Sequence, residues 1–341
     1  MPLSQSPVRR ERVCVVGGPA EPVVPPEALV KAIAPDDVET LRPLLPVGYD
    51  AGVKAYQLAA QQLTAQDLTD HYTNGVKFFH DEFVPHLKRT LQFLSGGVWR
   101  LDDYVAYAAG TDVDFMTHLI EAVAAHQPVA LFPGDWFGFL VGCTHMTNIH
   151  WRAEGQSELA CLCIPSVRNG HFTEEMLPFL ASSRNCLLNL NLFPTLVATE
   201  RRETSETLLP MLDRSVLSIS FSRGFGLTAS QLGVALIHRD HPYRAMFHPQ
   251  WTWFTNFFNA FAARAFMLLD LRRLQEVDEQ RRGWVSEWLT ARGLPDLPSG
   301  SYYVKCFRPT GDIPPYLAPL HRDGIVRLCL KPSIQGNPGL G

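Results

Sequence analysis

Residues 215–244 read SVLSISFSRGFGLTASQLGVALIHRDHPYR. Two apolar runs in this stretch, SVLSISF and GVALIH, have the length and aliphatic content of buried strands. Gly224-Phe225-Gly226 marks a turn after the first of them. It is not a dinucleotide fingerprint, which needs a longer glycine pattern opening a helix. The cation of the turn is Arg223, whose guanidinium stays protonated and can hold an anion but cannot act as an amine.

Working outward, short apolar runs alternate with helical patterns. Val105–Ala108, PVALFP, LACLCIP and CLLNLNL read as strands, and GTDVDFMTHLIEAVAAH, FTEEMLPFLASS and SETLLPMLD as helices. Strands separated by helices of this length predict an α/β fold with a doubly wound, mainly parallel sheet. Residues 1–50 are proline-rich, with one short apolar strand at Arg12–Val16, and read as an N-terminal arm. Residues 51–95 open the large domain, 51–250, as helix. Residues 251–292 form one long amphipathic stretch, the core of an interdomain helix over 251–295, stopped by Gly293 and Pro295. SYYVKCF and IVRLCL supply the strands of a truncated small domain, 296–341.

The chain has 341 residues, 46% hydrophobic and 19% charged, which excludes a disordered chain or a coiled coil. A formal charge of -4 implies no basic surface for nucleic acid or anionic lipid. No apolar run approaches the length of a membrane helix or of a signal peptide, so a cytoplasmic protein is expected. The seven scattered cysteines predict reduced thiols. Cys161 and Cys163 alternate on one strand and face the same side. Only six lysines occur, and none lies between residues 89 and 304.

The 215–244 stretch resembles the lysine-bearing turn of the class I/II aminotransferases, pyridoxal-phosphate (PLP) enzymes of fold type I. In that family a strand ends in Ser-x-Ser-Lys, and a Gly-rich turn and Arg-x-Gly lead into the next strand. Other pieces resemble the family in the same order. VVGGPAEPVVPPEAL, 15–29, is similar to its N-terminal Gly-x-Pro segment, and AAGTDVDFMTHLIEAV, 108–123, to its phosphate-binding turn. LFPGDWFGF, 131–139, is similar to the strand whose aromatic stacks on the pyridine ring, and LLNLNLFPT, 187–195, to the Asn-Pro-Thr loop. GIVRLCL, 324–330, is similar to the strand whose Arg binds the substrate carboxylate. The resemblance implies a three-layer sandwich with a reduced C-terminal lobe, a homodimer, and PLP as the family cofactor.

The departures fall on the covalent centre. The Schiff-base lysine position is Arg223, which cannot form an imine, and no lysine elsewhere in 89–304 can replace it. The phosphate Arg is replaced by Gln231 and the loop Asn by Phe193. The family's Asp-x-x-Tyr strand, whose carboxylate pairs with the pyridine nitrogen, is not found; Asp213 is the only aspartate between Pro194 and Arg223 and reads as a helix-end residue. Gly110, Thr111, Asp112 and Trp136 then mark a vestigial cofactor pocket, and no covalent cofactor is expected.

Gly110-Thr111-Asp112 opens a helix, where N–H groups attract anions, although a plain N-cap has the same pattern and Asp112 would repel a phosphate. Trp136 stacks on a flat ligand or packs with Phe137 and Phe139 in the core. Arg327, on a short apolar strand, needs a carboxylate partner if buried. Tyr72 and Asn74 form a substrate wall by resemblance, and Tyr72 or His80, flanking a Gly-containing turn, moves protons. Cys143, His145 and His150 suggest metal ligands, but the third is off the shared face, and no metal is expected. His238 and His241 read as surface residues, and the aromatic run 251–258 as buried.

Three functions follow. The first is an enzyme that keeps the aminotransferase fold and acts without PLP, as a lyase, cyclase or isomerase of specialised (natural-product) biosynthesis. Its substrate is an amino-acid-like or anionic small molecule held by Arg223, Arg327, Trp136 and Asn74, with Arg223, Tyr72 and His80 as catalytic groups. The second is a non-catalytic pseudo-aminotransferase that binds a partner or ligand. The third binds PLP or its amine form noncovalently, with residual transaminase-type activity.

Overall fold

The computed structural model describes residues 49–69, 71–133, 135, 147–166, 170–227, 230–254, 256–291, 293, 300–301, 304–309, 311–312, 321–322 and 325–329. Arg12–Val16, the 15–29 segment, Trp136, Cys143 and His145 lie outside these residues. Of Tyr72 and Arg327 only the backbone is described.

The chain enters through α1 (Tyr49–Gln62) and α2 (Ala65–Thr69), followed by wide helical turns at His71–Gly75 and Phe78–Phe83 and by α3 (Val84–Leu94). Then come β1 (Tyr104–Ala109), α4 (Asp112–Ala124), β2 (Val129–Leu131), β3 (Ile149–Trp151), β4 (Ser157–Cys163), α5 (Met176–Ala181) and β5 (Ser183–Asn189). They are followed by α6 (Ala198–Leu208), β6 (Ser215–Ser220) and β7 (Gly233–His238). These strands form one seven-stranded sheet in the order β1-β7-β6-β5-β4-β2-β3. Only the β7 pairings are antiparallel; β2, β3, β4, β5 and β6 pair in parallel.

The strands are apolar on both faces because the sheet has a core on each side. Tyr104, Ala106, Ala108, Ala160 and Leu162 face a core shared with α3, Phe83 and Phe221. Their neighbours Tyr107, Ala109, Leu159, Cys161 and Cys163 face a second core under α4. Period-two alternation thus sends successive side chains to different cores, and it puts Cys161 and Cys163 on one face as expected. Cys161, Cys163 and Cys186 are free thiols.

The expected single helix over 251–292 is two helices, α7 (Phe257–Met267) and α8 (Leu271–Ala291). Ala262, Ala263, Ala265 and Phe266 of α7 are buried in the large core with Phe83 and Phe221; α8 sends Leu274 into the same core from its first turns and is otherwise mostly polar. A second sheet joins β8 (Val304–Phe307), β10 (Ile325–Cys329) and β9 (His321–Arg322). Strands β3 and β9 have no expectation behind them, being too short to show a period. The Gly-containing turn expected between His71 and His80 is helical instead, and Gly75 is buried within it. The aromatic run at 251–258 divides: Phe254 is fully buried but Phe258 is 60% exposed.

His241 is not the surface residue expected. It is buried, its Nδ1 accepts the Tyr243 N–H at 3.1 Å, and burial lowers its pKa. The imidazole caps a short helical turn at Pro242–Met246. Among the described residues no helix is long and apolar enough to cross a membrane.

Candidate functional site at the carboxyl edge of the sheet

Strands β1, β5 and β6 end at one edge of the sheet, and antiparallel β7 begins there, since Gly233 pairs with both Ala109 and Ser220. The loops after these strands therefore converge, which is where open α/β sheets place ligands. They carry Thr111 and Asp112 after β1, Asn191 after β5, Ser222 and Arg223 after β6, and Gln231 before β7.

The first turn of α4 is built as expected and then used differently. Thr111 is the N-cap, and Asp114 closes a capping box: its Oδ2 accepts the Thr111 N–H at 2.6 Å and the Thr111 hydroxyl at 3.1 Å. The anion-attracting end of this helix thus holds the chain's own carboxylate. Asp112 is buried, and its Oδ2 accepts the Asn191 Nδ2–H at 2.7 Å. Burial raises the Asp112 pKa, while the Asn191 bond and the nearby Arg223 charge pull it back.

Gly233 is dictated by this arrangement. A Cβ there would lie 2.0 Å from the Asp112 nitrogen and 2.2 Å from the Thr111 carbonyl carbon, so β7 starts directly beneath the helix turn. Gly224 serves the neighbouring turn, where a Cβ would lie 2.5 Å from the Asn191 carbonyl oxygen. Ser220 and Ser222 place their hydroxyls 3.2 Å apart just before Arg223. Gln231, expected from the resemblance to stand for the phosphate Arg, has a left-handed φ of 45° and is exposed; its carbonyl accepts the Asn259 Nδ2–H at 2.6 Å. Asn259 also donates to the Ala109 carbonyl at 3.2 Å, so one buried amide from α7 ties the two sides of the edge together.

Phe193 is not at this edge as a ligand contact. It is fully buried and stacks on Trp99, with centroids 4.9 Å apart and planes 12° from parallel. Asp213 lies at the opposite end of β6, where it accepts the Tyr104 hydroxyl at 2.9 Å. Asp135, beside the undescribed Trp136, is buried and anchored: it accepts the Cys163 N–H at 2.7 Å and the Ser166 hydroxyl at 2.5 Å.

The structure does not group all the expected residues. Asp112 and Arg223 come together, with Gly110 and Thr111 in the adjoining turn. Asn74 is exposed on the wide helical turn, and Arg327 lies on the second sheet. His80 lines a different cleft, with Lys88, Arg89 and the first half of β1. His150 sits on edge strand β3, and no group of three potential metal ligands occurs among the described residues. Sequence reading missed Asn191 and Asn259. Their only signal was an Asn in an apolar run, which has no spacing to a partner 79 or 150 residues away.

No family model matches the chain, and no curated protein sequence matches it. Solved structures do. An L,L-diaminopimelate aminotransferase from Chlamydomonas reinhardtii is similar with a TM-score of 0.62 at 12% identity, covering 86% of each chain. A histidinol-phosphate aminotransferase from Sinorhizobium meliloti, in complex with pyridoxal-5'-phosphate, is similar at 0.55 and 15% identity, over 84% of this chain and 85% of that one. A PLP-bound C-S lyase from Staphylococcus hominis is similar at 0.55 and 9% identity, over 77% and 75%. At such identities the likeness is one of backbone architecture, and in that respect the chain has the fold of the fold type I PLP-dependent aminotransferases.

Proposed function

We propose that this chain is an enzyme that works at the carboxyl edge of an aminotransferase-type sheet, on an amino-acid-like or other anionic small molecule, without an internal aldimine. The observation that carries the reading is the turn after β6. It presents Arg223 beside buried Asp112, in a chain with no lysine between residues 89 and 304.

The residues at this edge do not fit PLP. The cofactor needs a primary amine that can lose its proton, and a guanidinium stays charged. Its phosphate needs free N–H groups at a helix start. Here Asp114 has taken the Thr111 N–H, and Asp112 adds a second acid to the same turn. The Phe193 ring is committed to the core.

What remains is acid–base chemistry with an anion hold. Arg223 offers paired N–H donors to a carboxylate or other oxyanion. Asp112, with its pKa raised by burial, is suited to exchange a proton with a bound substrate. The Asn191 Oδ1 is buried with no hydrogen-bond partner among the described residues, and can accept from a substrate N–H. By the family resemblance alone, Arg327 on the small sheet is the candidate for a second carboxylate contact. Such a set supports elimination, cyclisation or isomerisation of an amino-acid-like substrate, in keeping with specialised biosynthesis.

The test is spectroscopic and mutational. Purified chain incubated with PLP is expected to show no stoichiometric absorbance band near the visible edge; a band gained by Arg223→Lys would assign the misfit to the missing amine alone. A stoichiometric borohydride-fixable chromophore in the wild-type chain would overturn the reading. Arg223→Ala and Arg327→Ala should abolish binding of the anionic substrate with the urea midpoint unchanged; if they alter only stability, the enzyme reading fails.

A further inference from the structure

A second cleft, of about 460 Å³, opens between α3 and the edge strand β1. Its volume lies within the range of small-molecule pockets, about 300–1,000 Å³. The floor is apolar: Val84, Leu101 and Ala106 line it and are all buried. The rim is basic. Lys88 and Arg89 follow one another on α3, with His80 one helical stretch before them and the Gln92 amide one turn after.

The charges here are only partly matched. Lys88 Nζ donates to a neutral acceptor, the Asp102 carbonyl oxygen, at 3.2 Å. Burial holds its pKa below the usual lysine value, while Asp102 and Asp103 pull it back up and Arg239 adds to the depression. Asp103 is itself paired with Arg239. Arg89 makes no ion pair or hydrogen bond among the described residues. A half-buried ammonium beside an unpaired guanidinium, over an apolar floor, is an arrangement that gains from an oxyanion.

We propose that this cleft is a second small-molecule site, for a ligand with an apolar body and one terminal oxyanion, a carboxylate or a phosphate. Lys88 and Arg89 hold the oxyanion, and the floor takes the body. The site is independent of the carboxyl edge, because its β1 lining is Tyr104, Val105 and Ala106, whereas Asp112 follows the other end of that strand.

The probe pair is 8-anilinonaphthalene-1-sulfonate and its neutral relative N-phenyl-1-naphthylamine, titrated by fluorescence into the full chain. The sulfonate is expected to saturate at one site per chain. Arg89→Gln, at an exposed helix position that leaves the fold intact, should weaken it about threefold, and the Lys88→Gln/Arg89→Gln pair about tenfold, one charge-assisted contact's worth. The neutral probe should be unaffected. Displacement by benzoate alone assigns a carboxylate ligand, and displacement by inorganic phosphate as well assigns the oxyanion site to either. The proposal is overturned by no saturable binding, by unchanged affinity in the pair, by parallel loss of the neutral probe, or by loss of sulfonate binding in Arg223→Ala, which would place the probe at the carboxyl edge.

Discussion

Phe193→Asn, which places at 193 the residue that the family resemblance gives that loop, tests whether the position belongs to a ligand pocket or to the core. Phe193 is fully buried and stacked on Trp99, whose indole N–H donates to the Ser205 carbonyl at 3.2 Å. Removing a buried phenyl ring costs about 3–5 kcal/mol, which includes the lost stack. The introduced amide has no partner in this apolar setting and adds about 1–3 kcal/mol. The sum, about 4–8 kcal/mol, rivals the whole stability of an ordinary domain, about 5–15 kcal/mol. The assay is urea unfolding followed by tryptophan fluorescence, with Phe193→Leu as a graded control expected to cost about 1 kcal/mol. The asparagine variant should be largely unfolded or unfold at much lower urea, and should gain no PLP absorbance. A midpoint within about 0.5 kcal/mol of wild type, the usual effect of a surface change, would refute the core assignment.

Two further substitutions address the carboxyl edge. Gly233→Ala puts a methyl 2.0 Å from the Asp112 nitrogen, a backbone atom that cannot rotate away. It should cost about 3 kcal/mol, the upper end of ordinary overpacking, and weaken substrate binding with it; wild-type stability would show that β7 does not start beneath the helix. Asp112→Asn addresses the raised carboxyl. The folded chain keeps this proton longer than the unfolded chain, so the stabilisation is complete below the unfolded pKa of about 4 and is lost as pH rises through the folded value. The asparagine variant should therefore gain stability relative to wild type between pH 4 and pH 7.5, measured as urea midpoints, while losing turnover. A midpoint difference that stays constant with pH would show that Asp112 is not shifted.

Much of the fold was legible because its strands are long enough to carry a pattern. The runs expected at 105–108, 159–165, 186–192, 215–221 and 233–238 overlap the strands Tyr104–Ala109, Ser157–Cys163, Ser183–Asn189, Ser215–Ser220 and Gly233–His238. The second and third of these start and end two to three residues earlier than expected. Their continuous apolar character follows from a sheet covered on both faces, and the helical stretches between them require parallel crossovers. A helix start at Thr111 or Asp112 was readable for the same local reason, and the structure puts the N-cap at Thr111. The three-residue strand β3 carries no period, and the break between α7 and α8 has no proline or glycine to announce it. His241 was misread because burial is not a property of its neighbours in sequence.

The sequence by itself determined which cation the turn after β6 carries. Between residues 89 and 304 there is no lysine, and a guanidinium at 223 forms no imine whatever surrounds it. That conclusion needs only side-chain chemistry. What Arg223 stands beside was decided by the tertiary structure alone. Asp112 and Asn191 are 79 residues apart, and only the shared edge of β1, β5, β6 and β7 brings them within hydrogen-bond reach. The shift in the Asp112 pKa has the same origin, because desolvation is set by how the sheet packs around a group and not by the residues next to it in the chain.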